Sequence, residues 1–111
     1  MSKKTVRKKL WTHESTRRIP NRILKKAFYC PACQTEHLIT VKAPRNHQEP
    51  VWNWNHKEEL VTITPSLVFE SPTGKRCHSF ITLGRIHYMS DSEHELRGSA
   101  VNMVEKEVEW T

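Results

Sequence analysis

Two groups of residues in this chain have the types and spacing that chemistry needs. The first is Cys30-Pro31-Ala32-Cys33, with Cys77 as the one further cysteine. A Cys-x-x-Cys turn brings two thiolates to one ion, which suits a structural zinc when two more ligands follow. Cys77 supplies the third. The fourth is a histidine, a carboxylate or water, and His94, His37 and His78 are the candidates. A redox role would need a thioredoxin-like βαβ pattern, which is not visible; three buried free thiols are the plain structural alternative. The second group is Ser66, His78 and Asp91. A serine attacks a carbonyl when a histidine accepts its proton and a carboxylate orients the histidine's other nitrogen. No Gly-x-Ser-x-Gly elbow is present, so the reading rests on residue types. A catalytic zinc with an open water position ranks lower, because thiolate-rich sites are as a rule closed.

The elements that must position these groups are strands. From Lys75 to His94 the sequence alternates, reaches Gly84, and alternates again through Arg85, Ile86, His87 and Tyr88. That is a β-hairpin signal. Neighbours on a strand face opposite ways, so Cys77 and His78 cannot easily serve one ion. The sulfur is expected to face a metal and the imidazole a surface. Leu60–Glu70 is the longest strand-like run, with Val61, Ile63, Leu67 and Phe69 on one face. Pro65 marks it as an edge strand or kinks it in two, and presents Ser66 at an irregular place. One short turn, Ser71 to Lys75, joins this run to the hairpin, so Ser66 and His78 are expected to be neighbours. Ala27–Val41 reads as a second hairpin, a zinc knuckle with HLITVK as its return strand. Residues 101–108 favour a last strand over a short helix.

Composition bounds the rest. A chain of 111 residues with 36% hydrophobic content and a mean hydropathy of −0.71 makes one domain with a thin core. Such domains commonly need a staple, and a metal is one. No apolar run reaches membrane length and no signal-peptide core follows the basic start, so no membrane role and a cytoplasmic location are expected. An odd cysteine count argues against a secreted disulfide framework. The fold class is therefore mainly β: a small, zinc-stabilised antiparallel domain over residues 27–111, preceded by a basic arm over 1–26.

The arm holds ten Lys/Arg against one acid, whereas residues 88–111 hold six acids against two basic residues. A basic arm can neutralise phosphates, with Arg17, Arg18 and Arg22 as contacts, or dock on the acidic end of its own or another chain. Pro20 interrupts any long helix there, leaving a mostly extended or poorly ordered arm with a short turn of helix near residues 21–26. Trp52 and Trp54 fall on one face of VWNWNH. They would serve as a base-stacking platform or, more commonly, as core.

The order of the short motifs resembles a small family found in tailed phages and in bacterial ubiquitin-like conjugation operons, often labelled ammonia monooxygenase. The matching residues are Cys30-Pro31-x-Cys33 with His37; Trp52-x-Trp54-Asn55; Thr64-Pro65-Ser66; Cys77-His78-Ser79-Phe80; Gly84-Arg85-Ile86; and Asp91-x-x-His94-x-Leu96-x-Gly98. They span roughly residues 28 to 104. The resemblance implies a compact zinc-stabilised β domain and a serine-type peptidase that trims or removes a ubiquitin-like modifier. It makes Ser66 the nucleophile, His78 the base, Asp91 or His94 the orienting group, and Cys30, Cys33 and Cys77 zinc ligands. Ser92 departs from the cysteine that many phage members carry there. The implied partner is a protein substrate such as a ubiquitin-like conjugate, in a bacterial cytoplasm or, for a phage protein, that of its host, where reversing a defence modification is a natural use. The alternative is a non-enzymatic zinc-ribbon-like module that binds nucleic acid or a host protein through the basic arm, Trp52 and Trp54.

Overall fold

A computed structural model describes residues 5–13 and 23–109, and every regular element in them is a strand. In chain order these are β1 (Thr5–Lys8), β2 (Trp11–Thr12), β3 (Leu24–Cys30), β4 (Thr35–Lys42), β5 (Asn53–Trp54), β6 (Ile63–Glu70), β7 (Arg76–Thr82), β8 (Arg85–Tyr88), β9 (Ala100–Asn102) and β10 (Lys106–Glu109). All pairings are antiparallel, in three sheets: β1-β10, β2-β3-β4 and β5-β6-β7-β8-β9. The mainly-β antiparallel class expected from the sequence is the one observed. No helix among the described residues is long and apolar enough to cross a membrane.

The five-stranded sheet follows from alternation. On β7, Cys77, Ser79 and Ile81 are buried, while Arg76, His78, Phe80 and Thr82 face the other way. Leu83 and Gly84 turn the chain into β8, with φ of 51° and 77°. Two successive positive φ values are the mark of a type I′ turn, whose twist matches that of the strands. Gly84 has a further reason to be glycine: a Cβ there would lie 2.4 Å from the Glu59 carbonyl oxygen.

β6 carries the irregularity expected at Pro65. Ile63 pairs with Ile81 and Leu67 with Ser79, so four residues on β6 span two on β7. The chain bulges outward at Thr64-Pro65-Ser66, and all three are exposed. The Thr64–Pro65 peptide is cis.

The smaller sheet packs on the larger. Phe28, Cys30 and Ile39 share one core with Ile63, Leu67, Cys77, Ile81, Ile86 and Tyr88. Leu10 and Trp11 are buried as well. Leu24–Lys26 continue β3, where the sequence suggested a turn of helix. The extended form wins because β4 pairs along all of β3. Residues 5–8 pair with the acidic end of the chain, and Arg7 Nε lies 3.3 Å from Glu105 Oε2. Arg17, Arg18 and Arg22 lie outside the described residues.

Candidate active site and metal centre

On the outward face of β7, His78 Nε2 lies 3.1 Å from Ser66 Oγ. His78 Nδ1 lies 2.9 and 3.0 Å from the two Asp91 carboxylate oxygens. All three distances are those of ordinary hydrogen bonds. With Nδ1–H donating to Asp91, Nε2 is the acceptor for the Ser66 hydroxyl proton. The His78 side chain is 19% exposed and that of Asp91 52%, so the relay opens to solvent at the carboxylate. The hydrogen bond to His78 holds the Asp91 carboxyl below its usual range.

Each group has a structural reason to be where it is. The β6 bulge lifts Ser66 out of the ladder, and Trp52 Nε1–H donates to the Ser66 carbonyl at 3.3 Å. His78 sits in the ladder opposite Val68. Asp91 is carried by a segment that folds back along β7. The Met89 N–H donates to the His78 carbonyl at 2.8 Å and the Glu93 N–H to the Arg76 carbonyl at 2.8 Å. Ser92, 3% exposed, closes the fit. Its Oγ accepts from the His78 N–H at 3.0 Å and donates to the His78 carbonyl at 2.8 Å. Ser92 therefore fixes the backbone of the histidine beside it, and it takes no part in the cysteine cluster.

On the inward face, Cys30, Cys33, His37 and Cys77 bring four ligand atoms within 4.8 Å of one another. All three cysteines are free thiols. The Cys30 and Cys77 sulfurs are 3.9 Å apart, far beyond disulfide length. The Cys33 N–H points at Cys30 Sγ at 3.4 Å, and the Tyr88 hydroxyl lies 3.2 Å from the same sulfur. Hydrogen bonds from Cys77 and Tyr88 bring Cys30 down to about 3. Cys77, which gives its hydrogen bond to Cys30, is pushed far up, and burial raises Cys33 to about 11. A divalent cation would let all three ionise together. The buried His37 Nε2 has no hydrogen-bond partner, an orphan that an ion would satisfy.

The fourth member of this cluster is His37, and His94 stands outside it. The segment after β8 carries His94 against the Tyr88 ring, edge to face with centroids 4.7 Å apart. His37 lies across from Phe28 in the β3–β4 ladder. Phe28 and Cys30 share a face, so the hairpin register alone brings His37 under the Cys-x-x-Cys turn. Counting back from that turn would have chosen it. Its ring is held by stacking on Phe69, at 4.1 Å between centroids and 4° between planes.

Trp52 and Trp54 are partly buried and pack against the core, and Lys26 Nζ lies 4.7 Å from the Trp54 ring centre. Trp52 meets the site through its hydrogen bond at Ser66, a role that residue types do not reveal.

No curated protein and no solved structure matches this chain. A protein-family model does, over residues 3–89, and its description reads bacterial ubiquitination-like system serine protease (BubE). Since that match takes in both the Ser66–His78 pair and the whole cysteine–histidine cluster, the chain belongs to the BubE family.

Proposed function

We propose that this chain is a serine-type peptidase that hydrolyses the bond following a ubiquitin-like modifier, releasing the modifier from a protein conjugate or trimming its precursor. The observation that carries the reading is the continuous hydrogen-bonded line from Ser66 Oγ through His78 to Asp91, in a member of the BubE family. Ser66 Oγ attacks the scissile carbonyl carbon as its proton passes to His78 Nε2. The imidazolium formed is stabilised by Asp91 and returns the proton to the leaving amine. Water then repeats the sequence on the acyl-serine and frees the carboxylate. The setting we propose is a bacterial cytoplasm that runs such a conjugation system, or a phage that reverses it.

Cys30, Cys33, His37 and Cys77 would hold a structural zinc. A tetrahedral ion with Zn–S bonds of about 2.3 Å sets its sulfurs about 3.8 Å apart, close to the Cys30–Cys77 spacing. Bound there, zinc supplies no step of the reaction: it ties the Cys-x-x-Cys turn to β7, which carries His78 on its other face.

A fluorophosphonate probe tests the nucleophile. Ser66 is expected to be the labelled residue, with labelling lost in Ser66→Ala and slowed sharply in His78→Ala. Labelling at another serine, or none at all, overturns the assignment.

A further inference from the structure

We infer that the outer edge of β6 receives the substrate as an added strand, whose backbone pairs with Val68 and Glu70 and delivers its scissile carbonyl to Ser66. The inference rests on the peptidase reading above.

β6 pairs with β7 along Leu67–Glu70, but with β5 only at Ile63 and Thr64. Beyond Thr64 its other side pairs with no strand among the described residues. The direction of its free groups follows from β7. The His78 N–H and carbonyl both turn away from β6, towards Ser92 and Met89. Those of Arg76 do the same, to Glu93 Oε1 at 2.7 Å and to the Glu93 N–H. Residues opposite each other in an antiparallel pair either exchange both bonds or neither. Val68–His78 and Glu70–Arg76 are therefore pairs that exchange neither, so Val68 and Glu70 aim N–H and C=O outward. The Ser66 carbonyl is already taken by Trp52, so the free edge starts just past the nucleophile.

The chemistry of this edge fits an extended peptide. Natural sheets blunt exposed edges with charged residues, proline or bulges; on β6 the proline and the bulge lie at Thr64-Pro65-Ser66 and the one charge at Glu70, which leaves Leu67-Val68-Phe69 between them without any. Val68, across from His78, is 58% exposed; Phe80, two residues along β7 on the same face, is 39% exposed; and Met89 is 36% exposed. An added strand lies about 4.8 Å from its neighbour, with alternate side chains on one face. That places an apolar residue of the occupant beside Val68 and its backbone within reach of Ser66, while Phe80 and Met89 stand one and two strands further in, on the far side of β6.

Amide hydrogen exchange on the full-length Ser66→Ala chain tests the pairing, with a ubiquitin-like domain bearing a C-terminal peptide extension as probe. The Val68 and Glu70 amides are expected to exchange freely in the free chain and to slow about tenfold or more with the probe, while Leu67 and Phe69 stay protected throughout. Binding without that protection overturns the inference. Protection already present in the free chain does so too, because the edge would then be covered before any substrate arrives. In the active chain, Val68→Pro removes an outward N–H while keeping an apolar side chain, and proline is tolerated on edges. It is expected to lower cleavage of the extension about tenfold more than it lowers fluorophosphonate labelling; equal effects count against the added strand. If the wild-type chain neither labels nor cleaves, the peptidase reading fails and takes this inference with it, whereas labelling and cleavage with an unprotected edge sink the inference alone.

Discussion

Asp91 is the only aspartate in the chain, and both its carboxylate oxygens lie within hydrogen-bond distance of His78 Nδ1. Its carboxyl is lowered chiefly by that bond. A lowered carboxyl contributes stability above the ordinary carboxylate range, and the contribution goes as pH falls through the lowered value. Selective carbon labelling of aspartate gives a single carboxyl resonance, expected to titrate below the reference value of about 3.9; a midpoint at or above it would break the link to His78. Asp91→Asn leaves a neutral group that stabilises the wrong tautomer, and turnover is expected to fall by up to roughly 10⁴-fold. At this scale much was legible. Ser66, His78 and Asp91 are nameable from residue type, and the opposed directions of Cys77 and His78 follow from strand parity alone. Ser92 and Trp52 were not legible in these roles, because each acts through another residue's backbone, and backbone partners leave no mark on composition.

Among the elements, the β7–β8 hairpin depends on Gly84, where a positive φ coincides with close approach to the Glu59 carbonyl. The Gly84 N–H also donates to the Val61 carbonyl at 2.9 Å, so the turn cannot simply back away. Gly84→Ala is expected to lower the urea midpoint by an amount worth about 1–3 kcal/mol, with the denaturant slope unchanged. An unaltered midpoint would mean that the turn relaxes freely. This hairpin was legible because glycine and alternation are local signals. The break in β6 was legible through Pro65. The strand at Leu24–Lys26 was not, since three residues rich in lysine carry little period and only the partner strands decide them. That the basic start could dock on the acidic end of its own chain is one of the readings its charge allows, but sequence could not say that the two would pair as strands β1 and β10. The opposite charges of the two ends are the only trace of that pairing.

At the scale of the molecule, the cysteine–histidine cluster joins two sheets. Cys30 and His37 come from β3 and β4, Cys33 from the turn between them, and Cys77 from the larger sheet. A small core of this kind is short of apolar area, and one ion at this junction would supply much of its stability. One zinc per chain is therefore expected by elemental analysis. His37→Ala should lose the metal and melt lower, whereas His94→Ala should keep it. Retention of zinc by the His37 variant would move the site elsewhere. Residues 77 and 78 share a peptide bond, so on the reading proposed above the loss of an ion held by Cys77 would displace His78 as well. If that reading holds, chelating agents are expected to silence the proposed activity while never touching its chemistry, and a routine inhibitor panel would misfile a serine-type peptidase among the metalloproteases.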